Sequence, residues 1–396
     1  MRRASSVWLL LVAIGLIAVN MRGPFVAVAP VAKPLSADLA LTPGELGLLT
    51  GIPVLCFALA APLASLTARK LGAEVAVTLT LAGVLAGVVI RSVDGTAVVM
   101  LGTALLGVAI TIGNIAVPLI IRRDFTKERQ GMAMGVYTAA LNVGSFVTSV
   151  ATAPLAEATG WRVALAGSAV FAAVAAGFWA AATGLRAFRP EPVASEAQAH
   201  DGAAAPARRS FAAVTIALLL GFGGQAFSYY GLTAWLPSLL SDELGLTPSA
   251  AGAGASLFQI VAILGALGAP LLARYAGAMT TVALLGVLWI SVPVGLLVAP
   301  ELWPLWSSFG GAAQGGGITL IFTEINVIAR DQVSAGRMSA IVQGSGYGLA
   351  AAAPTLLGWI HSASGSWTLP LAVVAGSVLA FIVGTTAAVR AAARHH

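Results

Sequence analysis

The chain has 396 residues, of which 58% are hydrophobic and only 9% charged, and its net charge is +6 at pH 7. Soluble domains carry about 25% charged residues. Here the apolar excess runs the whole length, which argues for a protein crossing a membrane many times rather than a soluble enzyme with one anchor. Long continuous apolar runs favour helices over an alternating β-barrel, and basic residues placed at the ends of those runs speak against nucleic-acid binding.

The N-terminal M-R-R-A-S-S resembles a signal-peptide head. The apolar run behind it is too long and lacks an A-x-A cleavage site, so it reads as a retained first span, 7–32. That span carries Asn20 and Arg22. At about 1.5 Å per residue, Arg22 lies roughly 20 Å along the helix, near the middle of a bilayer core about 30 Å thick. A charge there costs at least about 2.5–3.5 kcal/mol and marks a solute or ion path unless it is neutralised. Its fork of donors suits a carboxylate, cyanate or nitro group. A purely structural Arg bonded to carbonyls is the alternative. Asn20 is two residues away and points in a different direction, toward solute or a neighbouring helix.

The remaining spans of the first half are predicted at 43–67, 73–91, 96–121, 131–154 and 161–185. Cys56 lies in an apolar run and has no partner cysteine in the sequence. Asn114, inside I-T-I-G-N-I-A-V-P, sits where Gly and Pro loosen a helix, which suits a cavity lining. Tyr137 and Asn142 in span 5 are five residues apart and need not share a face. Arg123 with Asp124 reads as a loop salt bridge that biases one access state.

Residues 187–210 are rich in Ala, Pro and charge and cannot pack, so they form a linker. The second set of spans is predicted at 211–238, 248–272, 278–298, 303–328, 335–360 and 367–389. Its polar candidates are Gln225, Gln314 and Gln343, with Tyr229, Tyr230 and Tyr347. Tyr347 shares a helical face with Gln343. Glu324 is the one carboxylate well inside a span. It either pairs with Arg330 at an inward gate or titrates as access alternates. Arg330 and Asp331 form a second loop pair.

With the N-terminus inside, seventeen of the twenty-one Lys and Arg residues fall on the cytoplasmic side, so both termini are placed there. Lys33, Arg91 and Arg162 fall outside, and Arg22 within the membrane. The halves repeat: L-S-A-D-L-A-L-T-P at 35–43 matches L-S-D-E-L-G-L-T-P at 240–248, and T-A-R-K-L-G at 67–72 matches L-A-R-Y-A-G at 272–277. At the same offset of 205, Asn20 meets Gln225 and Arg22 meets Phe227. The predicted fold class is an all-α membrane protein of twelve helices in two pseudo-symmetric bundles: 1–186, the cytoplasmic linker 187–210, and 211–396. Parallel repeats of this kind hold their solute between the halves near the midplane.

Six plus six helices, a central linker and a basic loop after span 2 resemble the major facilitator superfamily. The loop keeps Arg69, Lys70 and Gly72 of that family's pattern but lacks its Asp. More specific stretches resemble the cyanate/nitroimidazole transporters within it: N-M-R-G-P, L-T-G-I-P-V-L-C-F, I-G-N-I-A-V-P, R-R-D-F and G-V-Y-T-A-A-L-N. Asn20 and Arg22 match that family's span-1 pattern N-L-R-P, while Met21 and Gly23 replace its Leu and Pro. The resemblance implies movement of a small, planar, anionic or weakly acidic solute.

The sequence contains no P-loop, no metal-ligand spacing and no enzyme signature, so neither a cofactor nor catalysis is expected. The partners expected are a small-molecule substrate, the lipid bilayer and a coupling gradient, of protons or another solute, with a monomer as the default state. The combined reading is a secondary carrier of the cytoplasmic membrane that works by alternating access. Proton-coupled efflux of drugs or metabolites is the rival, and a non-transporting sensor on a carrier fold the second. Efflux pumps favour a membrane-embedded acid, whereas the clearest charge here is basic.

Overall fold

The computed structural model describes residues 4–190, 208–328 and 332–393. Among them the chain forms fifteen α-helices. In the first half these are α1 (Ala4–Val26), α2 (Ala32–Leu39), α3 (Pro43–Leu59), α4 (Ala61–Leu71), α5 (Ala73–Arg91), α6 (Thr96–Asp124), α7 (Lys127–Thr159), α8 (Trp161–Gly167) and α9 (Ala169–Thr183). They continue with α10 (Arg208–Leu244), α11 (Pro248–Ala276), α12 (Ala278–Val298), α13 (Trp303–Ile328), α14 (Gln332–Ser364) and α15 (Thr368–Ala393). Nine helical segments among the described residues are long and apolar enough to span a membrane, or ten with the bent pair α3–α4. The other two predicted spans are α13 and α14, of 26 and 33 residues.

Predicted and observed boundaries agree where capping chemistry is plain. α3 and α11 begin at the prolines of the two Thr-Pro signals, Pro43 and Pro248. Pro at a first helical position has no N–H to leave unsatisfied. At α3 the cap is reciprocal: the Thr42 amide donates to Glu45 Oε2 at 2.8 Å, and the Glu45 amide to Thr42 Oγ1 at 3.3 Å. At α11 the Ala250 amide donates to Thr247 Oγ1 at 3.2 Å.

Three predicted spans are broken, the one at 161–185 only by the turn at Ser168 between α8 and α9. The first runs through a 3-10 turn at Ala29–Val31 before α2 resumes, where Pro30 supplies no backbone donor. The second bends by 58° between α3 and α4. Pro62 opens α4 and cannot donate to the Ala58 carbonyl, so the ladder parts there. Its counterpart at offset 205 is Leu267, inside the unbroken 29-residue α11.

The chain divides into two compact units: the described residues of Met1–Leu41 with Leu59–Asp201, and Thr42–Ala58 with Gly202–His396. Helix α3 groups with the second unit because it packs backbone to backbone on α14. Gly47 and Gly51 face the Pro354 and Ala351 carbonyls, and Gly358 faces that of Pro43, with no room for a Cβ. Of the predicted linker 187–210, residues 191–207 lie outside the described residues.

The repeat seen in the sequence extends to backbone and side chains. Left-handed φ recurs at offset 205 in Ala40 (51°) and Gly245 (63°), Gly72 (84°) and Gly277 (87°), and Gly160 (86°) and Gly365 (66°). In the first unit Trp161 Nε1 donates to Asp38 Oδ2 at 3.1 Å; in the second, Trp367 Nε1 donates to Asp242 Oδ2 at 3.1 Å. The first unit adds an ionic tie: Arg162 reaches Asp38 and Asp94, each at 2.7 Å. Its guanidinium holds the exposed Asp94 carboxyl below the usual carboxylate range.

Candidate functional site

In the first unit, glycine contacts set the level of every polar side chain near Arg22. Gly23 of α1 abuts the Gly144 carbonyl and Thr148 hydroxyl of α7, and Gly144 abuts Val19. Small residues let two helix backbones approach in this way. The crossing brings Asn142 beside Arg22: Arg22 Nη1 donates to Asn142 Oδ1 at 3.0 Å. Asn142 Nδ2 donates in turn to the Thr138 carbonyl at 3.1 Å, which turns the amide oxygen toward the guanidinium. An amide accepts a hydrogen bond without neutralising its donor. That bond therefore orients the charge without cancelling it.

The next pair lies at the same height. Gly113 of α6 faces the Met21 thioether, which sets Asn114 level with Arg22. Tyr137 Oη donates to Asn114 Oδ1 at 3.2 Å. Helix α7 thus carries both a phenol and an amide, each bonded to a different neighbouring helix. Asn20 is directed elsewhere: its Nδ2 donates to the Leu16 and Phe171 carbonyls at 2.8 and 3.0 Å, tying α1 to α9.

At the end of α6, Arg123 lies 2.9 Å from Asp124 and also holds Glu74, with contacts of 2.6 and 3.0 Å from its two terminal nitrogens. Glu74 is 3% exposed. Sequence reasoning missed it, because an acid in the first turn of a helix already has an ordinary explanation in the helix dipole. Arg330 and Asp331 lie outside the described residues. Glu324 is buried in α13.

In the second unit the predicted residues form two aromatic arrangements that adjoin where the Tyr229 and Tyr230 rings meet edge to face at 4.9 Å, beside a lock made by Gln225. Gln225 Nε2 donates to the Gln314 carbonyl at 2.9 Å and lies over Gly317, locking α10 to α13. Tyr229 stacks parallel on Phe258 (5.8 Å, 18°), which stacks on Trp289 (5.6 Å, 13°). All three rings are at most 1% exposed, and the Tyr229 hydroxyl donates to Gln259 Oε1 at 3.2 Å. This is a closed column. Tyr347 belongs to a different arrangement. Phe222, Phe57 and Tyr230 meet it at 5.1, 5.5 and 6.3 Å with interplanar angles of 83°, 75° and 64°. Tyr347 and Gln343 are half-buried, and Gln343 Nε2 donates to Ser339 Oγ at 2.6 Å. Phe57 and Phe222 were not foreseen, since an apolar ring in an apolar helix carries no polar signal. Phe227, the repeat counterpart of Arg22, is half-buried and offers no charge.

Among the described residues no group of His, Cys, Asp and Glu has the arrangement of a metal site. The chemistry on offer is one oriented cation with amide and phenol groups in the first unit, and amides with aromatic rings in the second. Charge, hydrogen bonds and ring surface suit holding a solute rather than bond-making.

A model of the Major Facilitator Superfamily matches residues 8–352. The chain is 30% identical over 383 residues to the uncharacterized transporter YycB of Bacillus subtilis (strain 168), covering 96% of this chain and 92% of that one. It is 31% identical over 368 residues to the 2-nitroimidazole transporter of Escherichia coli (strain K12), covering 92% and 91%. With the cyanate transport protein CynX of the same strain it shares 27% over 379 residues, covering 95% and 96%. In fold it resembles a point mutant of the nucleoside transporter NupG, with a TM-score of 0.71, 13% identity and coverage of 96% and 99%. The long apolar helices, the repeat and these likenesses agree: the chain is a multi-pass membrane transporter of the Major Facilitator Superfamily, not an enzyme.

Proposed function

We propose that this transporter moves a small, planar, anionic or weakly acidic solute across the cytoplasmic membrane by alternating access, with Arg22 as the ligand of its negative or electron-rich group. One observation carries the reading. Arg22 sits well inside an apolar helix, and Asn142 aims its guanidinium through an amide oxygen, which carries no countercharge. A mid-membrane cation is costly, and a bound anion offsets part of that cost. A solute shifts the balance of access states to the extent that it binds them differently.

The names of the relatives support the solute class, since cyanate is a small linear anion and 2-nitroimidazole a planar weak acid. The distribution of Lys and Arg supports both termini on the cytoplasmic side. Arg123, held by Glu74 and Asp124, stands as a gating element that biases one access state.

A thermal-shift screen of the purified protein against small anions and planar heterocycles tests this reading. A ligand at 100 times its Kd stabilises the native state by about 2.7 kcal/mol. The reading requires a hit within this class that Arg22→Ala abolishes. Stabilisation only by large apolar cations would contradict it.

A further inference from the structure

Arg91 is the most deeply buried charge among the described residues. It ends α5, at the opposite end of that helix from Glu74, and none of its surface is exposed. Its Nε, Nη1 and Nη2 atoms are shut off from solvent, and none has a hydrogen-bond partner. Arg123 at the other end of α5 is held by two carboxylates. Val84, Gly87 and Val88 share the buried face of α5 with Arg91, and none of them offers an acceptor side chain. Gly102 of α6 stands against Arg91, where an added Cβ would collide with the Arg91 amide and Cα. The Arg91 backbone is thus pinned, and only its side chain can change place. A buried guanidinium without an acceptor is among the costliest arrangements a fold can hold.

Two carboxylates stand at the same corner of the first unit. Asp94 is three residues beyond Arg91. The turn continues past the end of α5, with the Ser92 and Val93 amides donating to the Val89 and Ile90 carbonyls at 3.1 Å each. Residues so spaced on a helical turn have Cβ atoms about 5–6 Å apart, within the reach of an arginine. Yet Asp94 and Asp38 are both held by Arg162, each at 2.7 Å. The Arg162 guanidinium also lies over the Trp161 ring, 4.4 Å from its centroid. Arg162 belongs to α8, a helix of only seven residues that packs on α5 and is set off from α9 by the turn at Ser168. One arginine holds two acids, while the arginine a turn away from one of them holds none.

We infer that Arg91 and Arg162 are alternative partners of these carboxylates, a charge exchange built into one end of the first unit. Arg162 holds Asp38 and Asp94 in the conformation described here. Arg91 takes Asp94 in a second conformation, in which α8 has moved off. Burial of Arg91 destabilises the first conformation and its ion pair stabilises the second, so the two arginines together set the balance between them. The exchange needs no solute and stands whatever Arg22 binds.

The test is a double-substitution cycle read by thermal unfolding of the full-length purified protein. Arg91→Met keeps a long side chain and removes the charge, and is expected to raise the melting temperature by a few degrees. Arg162→Met is expected to lower it. The loss should be a few degrees larger when Arg91 is already Met, because no second arginine is then left to take the acids. Arg162→Lys, which cannot fork over both carboxylates, gives the same order on a smaller scale and serves if Arg162→Met does not fold. Arg91 acting only as a packing residue would show no such coupling to Arg162. A lower melting temperature in Arg91→Met, or an equal loss on replacing Arg162 in the two backgrounds, overturns the inference.

Discussion

A guanidinium held by an amide differs from one held by a carboxylate, and the Arg22–Asn142 bond allows that difference to be measured. Asn142→Ala removes the aim but not the charge, so solute affinity should fall by about tenfold, the scale of one hydrogen bond to a charged group. Asn142→Asp keeps the shape and places an anion where the amide oxygen now sits. It should compete with the solute for Arg22 and lower affinity further than the alanine does, although it is the closer replacement. Isothermal titration of both variants decides the order, and better binding by the Asp variant would contradict the role given to Arg22. Arg22 was legible in the sequence because a charge in an apolar run stands out. Asn142 was legible as a candidate, but its pairing with Arg22 was not, since the contact depends on the Gly23–Gly144 crossing of two helices 120 residues apart in sequence. Ala40 gives a second test at this scale. It is the one non-glycine residue with left-handed φ among the described residues, where the repeat has Gly245. Ala40→Gly relieves a steric cost of about 1 kcal/mol and should raise the melting temperature by a few degrees.

For the helices, hydropathy and punctuation located nearly all boundaries, and what they missed has a local cause. The 58° break between α3 and α4 follows from Pro62, a residue that also fits quietly into the first turn of a helix. Pro62→Leu, which installs the residue found in unbroken α11, should straighten the pair. Spin labels in α3 and α4 would report a longer distance between the helices' far ends. The glycines of α13 show a second limit of sequence reading. Gly311 and Gly315 lie against the backbone of α11, and Gly265 of α11 against that of Ala312. Gly315→Val has no space to enter and should abolish the folded protein, as judged by monodisperse yield from detergent. The glycines of α14 at 344 and 348 look identical in sequence yet face open space. Glycine spacing alone does not tell close contact from open space.

Over the whole molecule the repeat organises both units, and it extends beyond the motifs visible in the chain. The Trp161–Asp38 and Trp367–Asp242 bonds are equal in length, although Asp242 stands one residue before Glu243, the position that aligns with Asp38. Only the aspartates stood in a recognisable repeated motif. The tryptophans lie more than 120 residues away, and their offset of 206 differs by one from that of the surrounding landmarks. The same repeat sets Phe227 against Arg22, so the first unit carries a charge where the second carries an apolar ring. That charge is the basis for proposing an anionic or weakly acidic solute. The central claim is that Arg22 holds this solute during transport. Counterflow of a labelled ligand from the thermal-shift screen, measured in proteoliposomes with native protein and with Arg22→Ala, tests it most directly. Saturable counterflow by the native protein, and its loss in an Arg22→Ala variant that melts at the native temperature, is the predicted result. Counterflow by that variant at the native rate and affinity would contradict it.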